Sequence, residues 1–257
     1  FVTDDKLTDD LLDEGSVDYN VRLAIRLGLP PVTAIQMATL NTAECFGLRD
    51  RGAVAPGYIA DLVLLDDLEQ LTIHSVYKHG RPVVTERQLH QELFPTPTKS
   101  TSDKGAALSR CHMAPLELAD LALPISSEQC HIIEIIPNSI VTRHTIEPVD
   151  VKDGYFTPST ERDLLKMVVA ERHHATGHIG RGIVKGFALK RGAIVSTVAH
   201  DSHNLIAAGA SDEELLLAIR HVTDMHGGLA VVDGDQVLAT LPLSIGGLLS
   251  ELPNEQV

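Results

Sequence analysis

The chain has 257 residues, 44% of them hydrophobic, which is enough for one large domain or two small domains with cores of their own. Its 35 acidic residues outnumber its 21 basic residues, and the formal net charge of −14 argues against nucleic acid as a partner. No apolar run approaches the roughly 20 residues of a membrane span, and three widely separated cysteines indicate reduced thiols in the cytoplasm.

The first fifty residues combine a short apolar stretch with helical patterns. The stretch at residues 1–3 predicts the end of a buried strand that delivers Asp4 and Asp5 at its carboxyl end. An acidic helical turn closed by Gly15 follows, and residues 18–27 predict a second helix. Because the chain begins with Phe1, we expect it to be the carboxyl-terminal part of a longer protein.

The next segment predicts a helix followed by short strands. Pro31 presets the backbone of a first helical turn, and Gly47 ends the helical pattern. Extended segments punctuated by glycine then lead to strands at residues 62–65 and 74–78 and around residues 83–84. This organisation predicts one unit over residues 1–50 and a small β domain segment over residues 51–92.

Residues 93–105 are rich in Pro, Ser and Thr without periodicity, which predicts a linker to a domain at residues 106–257. This domain alternates predicted strands with predicted helices, and the mixture is typical of an α+β fold. The predicted strands cover residues 130–136, 139–146, 194–199 and a hairpin at 231–238, the predicted helices cover 183–189 and 211–225, and residues 164–171 fit a strand or a helix end.

Asp4 is the first candidate for chemistry. A carboxylate at the carboxyl end of a barrel strand can ligate a metal and accept the proton of a metal-bound water. Asp5, beside it, can hold such a ligand in place through a hydrogen bond. The alternative is that the two aspartates cap a helix.

The second candidate is a polar cluster directly after the strand predicted at residues 194–199, with His200, Asp201, His203 and Asn204 as its main members. Such a cluster can bind a metal, orient a substrate or carry protons, and a polar turn that satisfies its own backbone is the alternative. A third cluster, at residues 171–178, contains His174 and His178, but Gly177 argues against the helix that would bring them together as zinc ligands.

Several motifs carry a resemblance to known enzymes. They are RGAVAPGYIADLVLLD at residues 51–66, FVTDD at 1–5, ERHHATG at 171–177, KGF at 185–187, KRGA at 190–193 and STVAHDSHN at 196–204. The first resembles the end of amidohydrolase-superfamily enzymes, and the whole set resembles the microbial adenine deaminase family. The resemblance implies the end of a (β/α)8 TIM-like barrel with an accessory β domain, followed by an α+β carboxyl-terminal domain.

The same resemblance implies hydrolysis of adenine to hypoxanthine and ammonia at a binuclear manganese or iron centre, in a cytoplasmic homo-oligomer. Only Asp4 carries over as a metal ligand and proton shuttle, because the H-x-H pair and other ligands of the family belong to earlier barrel strands. The chain alone is therefore expected to be inactive. We expect His200, Asp201, His203 and Asn204 to line the purine pocket.

Two alternatives remain open at this stage. One is an amidohydrolase that acts on a different purine or on a cyclic amide, since fold does not fix substrate. The other is a non-catalytic binding or assembly module formed by residues 106–257.

Overall fold

A computed structural model describes residues 1–94, 111–253 and 256–257. The chain divides into two compact units, Phe1–Ser100 and Thr101–Val257. Of the linker predicted at residues 93–105, positions 95–105 lie outside the described residues. The described parts contain no helix with the length and hydrophobicity of a membrane span.

The first unit begins with four helices. These are α1 (Thr8–Asp13), α2 (Val17–Arg26), α3 (Pro31–Ala38) and α4 (Leu40–Cys45). The helix predicted from Pro31 to Gly47 is divided at Thr39, whose φ of −125° and ψ of −85° are not helical. The Thr39 hydroxyl donates to the Ile35 carbonyl at 2.7 Å, a local bond that competes with regular helical geometry.

The rest of this unit is an antiparallel meander. Its strands are β1 (Leu62–Leu65), β2 (Ile73–Lys78), β3 (Arg81–Thr85) and β4 (Gln88–Leu89), paired in chain order. The strands predicted at residues 62–65, 74–78 and 83–84 are confirmed. The core of the unit forms where α2 and α3 bury Val21 and Ala34 against Leu71.

The strand predicted at residues 1–3 is wrong. Val2 is 75% exposed, and Phe1 is only partly buried against the helical core. A strand needs a neighbour for its N–H and C=O groups, and the sheet of this unit pairs other residues. The Val2 carbonyl instead accepts from the Asn20 side chain at 2.6 Å. The end of a TIM-like barrel therefore stays a prediction.

The second unit is built on an eight-stranded sheet in the order β14-β13-β11-β12-β9-β10-β5-β6. All neighbours are antiparallel except β10 and β5, and β7 pairs with β8 separately. The strands are β5 (Gln129–Glu134), β6 (Arg143–Pro148), β7 (Asp150–Lys152), β8 (Tyr155–Thr157), β9 (Leu165–Ala170), β10 (Ile179–Lys185), β11 (Ala193–Ser196), β12 (Leu205–Gly209), β13 (Gly228–Asp233) and β14 (Gln236–Pro242).

One long helix, α5 (Asp212–Asp224), packs on this sheet. Its apolar residues, including the fully buried Leu215 and Ile219, form one core with Val168 of β9 and Leu205 of β12. The predicted cap is confirmed, because the Ser211 hydroxyl accepts the Glu214 amide at 3.2 Å. The described part of the unit is thus mixed α and β, with fewer helices than the sequence predicts.

The helix predicted at residues 183–189 is wrong. Ile183 and Val184 belong to β10, which pairs with β9 on one side and β5 on the other. Both side chains are buried, so pairing and burial in the sheet override a short apolar pattern that also fits a helix. The ambiguous stretch at residues 164–171 is β9, and the predicted hairpin at 231–238 is confirmed as β13 and β14.

Candidate functional site

Asp4 lies in an exposed, non-regular segment at the start of the first unit. Its φ of +53° places it in the left-handed region, and its carbonyl accepts the Lys6 amide at 2.8 Å. Asp5 is also exposed. Across the described residues, no group of three or more His, Cys, Asp or Glu side chains is arranged to hold a metal ion. Asp4 can therefore offer one ligand, but the donor set near it does not make a complete metal site.

The second candidate forms a compact turn between β11 and β12, here called the histidine turn (residues 199–204). The His203 amide closes it by donating to the Ala199 carbonyl at 2.6 Å. The fully buried Thr197 anchors its start, because the hydroxyl donates to the Gly247 carbonyl at 2.6 Å and accepts the Gly228 amide at 2.8 Å. The turn is thus fixed at both ends.

The four predicted residues of this turn have different environments. His200 and Asp201 are exposed, whereas His203 and Asn204 are half-buried. The His200 and His203 rings meet edge to face, with centroids 4.9 Å apart. The structure therefore brings the two imidazoles together at the surface of the second unit.

Two buried polar atoms of the histidine turn have no hydrogen-bond partner among the described residues. They are Nδ1 of His203 and Oδ1 of Asn204. Buried polar atoms in proteins are nearly always paired, so two unsatisfied neighbours make this turn unusual among the described residues. The imidazole nitrogen can donate or accept according to its tautomer, and the amide oxygen accepts.

Arg172 joins the histidine turn to two other loops, a role that the residue pattern alone did not predict. The residue is 2% exposed. Its Nε donates to the His203 carbonyl at 2.6 Å, and Nη2 donates to the Gly246 carbonyl at 3.0 Å. Burial lowers the pKa of Arg172, an effect that the nearby Cys111 thiol opposes. No carboxylate of the described second unit pairs with it.

Arg172 reaches these loops because β9 and β12 are neighbours. Ala170, at the end of β9, lies opposite Leu205, at the start of β12. Arg172 follows β9 by two residues, and His203 precedes β12 by two, so the two residues meet at one end of the sheet. Gly247 leaves room for the guanidinium, because a Cβ at that position would lie only 2.8 Å from Nη1 of Arg172.

The loop that carries Arg172 is organised by the carboxylate of Glu171. This carboxylate accepts the amides of Thr176, His173 and His174 and also the Thr176 hydroxyl, at distances of 2.5–3.1 Å. The Thr176 amide is the largest cause of a lowered pKa for Glu171, to about 2. The loop is not helical, so the helix face that would join His174 and His178 is absent there.

A further bond joins this loop to the histidine turn. Nε2 of His173 lies 3.0 Å from the Ser202 carbonyl, which makes it the donor to that oxygen. The contact assigns the Nε2–H tautomer or the protonated ring to His173. Two neighbouring residues, Arg172 and His173, therefore hold two backbone carbonyls of the turn.

Comparison with family models divides the chain in the same way as its motifs. Residues 1–83 match the amidohydrolase family, and residues 139–257 match the adenine deaminase C-terminal domain. The histidine turn and Arg172 lie in the second match, and Asp4 lies in the first.

Relatives named adenine deaminase match nearly the whole chain. The protein from Oceanobacillus iheyensis is 51% identical over 251 residues, which are 98% of this chain and 43% of the relative. The Geobacillus kaustophilus protein is 53% identical over 251 residues, 97% of this chain and 43% of the relative. The Listeria monocytogenes serotype 4b protein is 50% identical over 262 residues, 100% of this chain and 44% of the relative.

The chain thus spans less than half the length of these relatives. Nearly the whole chain is thus similar to part of proteins named adenine deaminase, and within this chain an amidohydrolase-family match is followed by a match to the adenine deaminase C-terminal domain.

Proposed function

We propose that the native protein carrying this chain hydrolyses adenine to hypoxanthine and ammonia. The observation that carries the proposal is the identity of about half of the residues, over almost the entire chain, to proteins named adenine deaminase. The family matches supply the second support, because an amidohydrolase segment is followed by the specific C-terminal domain.

In the proposed reaction a water oxygen forms a bond to C6 of adenine and the bond from C6 to the exocyclic nitrogen breaks. One proton of the water moves to the departing amine, which leaves as ammonia, and the other ends on a ring nitrogen of hypoxanthine. A carboxylate can take the first of these protons and then release it to the departing nitrogen. We assign that role to Asp4, because it lies exposed within the amidohydrolase match.

We further propose a binuclear centre of a divalent metal, manganese or iron, with Asp4 as one ligand and Asp5 as a hydrogen-bonding neighbour. The amidohydrolase match supports a divalent metal, and such a metal lowers the pKa of a bound water. The described residues do not complete the donor set, and the proposed proton transfer requires only the carboxylate of Asp4.

The histidine turn is proposed to line the purine pocket through His200, Asp201, His203 and Asn204. Adenine offers ring nitrogens that accept hydrogen bonds and an exocyclic amine that donates them. The amide group of Asn204 can accept from the amine, and an imidazole N–H of His200 or His203 can donate to a ring nitrogen. Closing the pocket with such groups also excludes bulk water.

The activity is tested by a substrate screen of the native protein. Adenine, guanine and a hydantoin are supplied separately, and ammonia release is measured. We expect ammonia from adenine alone, with hypoxanthine as the other product. Turnover of guanine or the hydantoin without adenine would instead indicate a different amidohydrolase, and a protein inert towards all three would favour a non-catalytic module.

The role of the histidine turn is tested by His200→Ala and His203→Ala in the native protein. We expect each change to raise KM for adenine by about tenfold, the effect of one or two lost hydrogen bonds. His144→Ala on the edge strand β6 is the control, since that exposed histidine belongs to the same unit but not to the turn. An unchanged KM in both turn variants would contradict the assignment.

The location and assembly of the protein are also proposals. The acidic composition supports a protein without a nucleic-acid partner. A cytoplasmic location and a homo-oligomeric state follow from the family resemblance and stay predictions.

A further inference from the structure

We propose that Arg172 is a positioning residue, which holds the histidine turn in the conformation that receives the purine. The inference rests on the proposed function of that turn. Arg172 does not contact the ligand in this proposal, because its guanidinium faces the backbone carbonyls of His203 and Gly246. It acts on the purine through His203.

The conformation of His203 explains why the turn needs such support. His203 has a φ of +50°, in the left-handed region that residues other than glycine rarely adopt. Such a conformation persists only where neighbouring contacts hold it. Here the amide donates to Ala199 and the carbonyl accepts from Arg172, both at 2.6 Å. Arg172 therefore supplies one of the two bonds that fix this backbone.

The backbone of His203 sets the direction of its ring, because Cβ moves with φ and ψ. Loss of the Arg172 bond lets His203 relax towards the right-handed region, which carries Nδ1 away from its present place. Asn204 is the next residue and would move with it. The positions of both side chains thus depend on the guanidinium that holds the His203 carbonyl.

Electrostatics favour a positioning role over a purely stabilising one. A buried cation is costly unless it is paired, and within the described second unit Arg172 is held by carbonyl oxygens. An apolar residue of similar length would avoid the desolvation cost, yet it could not span two carbonyls. The planar guanidinium does so with a fixed fork of donors. Gly247 leaves room for it, as a side chain at that position would collide with Nη1.

The test compares Arg172→Met and Arg172→Lys in the native protein. Methionine keeps the length but donates no hydrogen bond, whereas lysine can reach one carbonyl but cannot span both. Arg181→Met is the control, because Arg181 lies on β10, next to β9, and its Nη1 also donates to a backbone carbonyl, that of Ala122 at 3.2 Å. Amide hydrogen exchange and adenine kinetics are measured for each variant.

For Arg172→Met we expect faster exchange confined to residues 199–204 and a KM for adenine raised about tenfold, with kcat within a factor of about three. Arg172→Lys is expected to recover part of both effects, and Arg181→Met to show neither. A general loss of stability would instead speed exchange throughout α5 and the sheet and would lower the active fraction without changing KM.

Should Arg172→Met fail to fold, Gly247→Ala provides a second route. The added Cβ would lie 2.8 Å from Nη1, so it displaces the guanidinium while leaving its charge in place. Gly247 has a φ of +73°, and Gly246→Ala, with a φ of +66° and no atom within 4 Å of the added Cβ, measures the effect of left-handed strain alone. For Gly247→Ala the same confined exchange and raised KM are expected. Unchanged exchange at residues 199–204 in the folded Arg172 and Gly247 variants would overturn the inference.

Faster exchange with an unchanged KM would overturn the link to the purine. The cause of that failure can be assigned with His203→Ala. If His203→Ala also leaves KM unchanged, the proposal that the turn binds the purine is wrong. If it raises KM, Arg172 does not position the ring.

Discussion

Replacing Asp4 by Asn in the native protein is expected to lower kcat for adenine hydrolysis by about 10²–10⁴-fold, the usual contribution of a general acid–base group. Asparagine keeps the size of the side chain but cannot take and release a proton at neutral pH. The fold should be unaffected, because Asp4 is exposed and its carbonyl makes the hydrogen bond to Lys6 from the backbone.

Asp9→Asn is the control for this experiment, since Asp9 is an exposed carboxylate in the first turn of α1 in the same unit. Its kcat is expected to stay within a factor of about two, as for most exposed substitutions. Metal content is measured in parallel. A lost metal together with lost activity would support the ligand role of Asp4, and a retained metal with lost activity would support its proton role. Near-normal turnover would contradict both.

The histidine turn could be located from the sequence because its strand is β-branched and ends in a run of polar residues. The strand predicted at residues 194–199 is found as β11, which ends at Ser196. The extra residues lead into the turn, and Thr197 among them donates to the Gly247 carbonyl. The local sequence pattern was enough to locate the polar cluster. The bond that holds the start of the turn joins Thr197 to Gly247, 50 residues further along the chain, and local pattern does not predict it.

Arg172 could not be assigned by such reasoning. It lies 31 positions before His203, and the two meet because β9 pairs with β12 on one side, in addition to its successor β10 on the other. Sheet order is a tertiary property that hydrophobic periodicity does not encode. The same limit explains residues 183–189, where a pattern compatible with a short helix became β10 once strands were available on both sides.

At the start of the chain, local composition predicted a strand that the structure does not contain. Phe1, Val2 and Thr3 have the composition of a strand, but a strand also requires a partner, and the β1–β4 meander does not pair with them. The resemblance that implies a barrel end rests on motifs and stays a prediction for this segment.

Replacing Gly192 by Ala, immediately before β11, is expected to lower the free energy of unfolding strongly. Gly192 has a φ of +84°, and an added Cβ would lie 2.3 Å from the Val232 carbonyl oxygen of β13. That oxygen belongs to sheet backbone and cannot give way without disturbing the pairing of Ala193 with Val232. We expect a loss of about 3 kcal/mol or more, combining left-handed strain with overpacking.

Gly234→Ala is a closely matched control for this prediction. Gly234 also has a positive φ, +60°, and its amide donates at 3.0 Å to the same Glu214 carboxylate oxygen that accepts the Gly192 amide. A Cβ at Gly234 meets nothing within 4 Å, so only left-handed strain of about 1–2 kcal/mol is expected. Calorimetry of the whole chain compares the two, with the first unit as shared background. Equal shifts of the melting temperature would contradict the predicted steric clash with Val232, because backbone strain alone would then account for both.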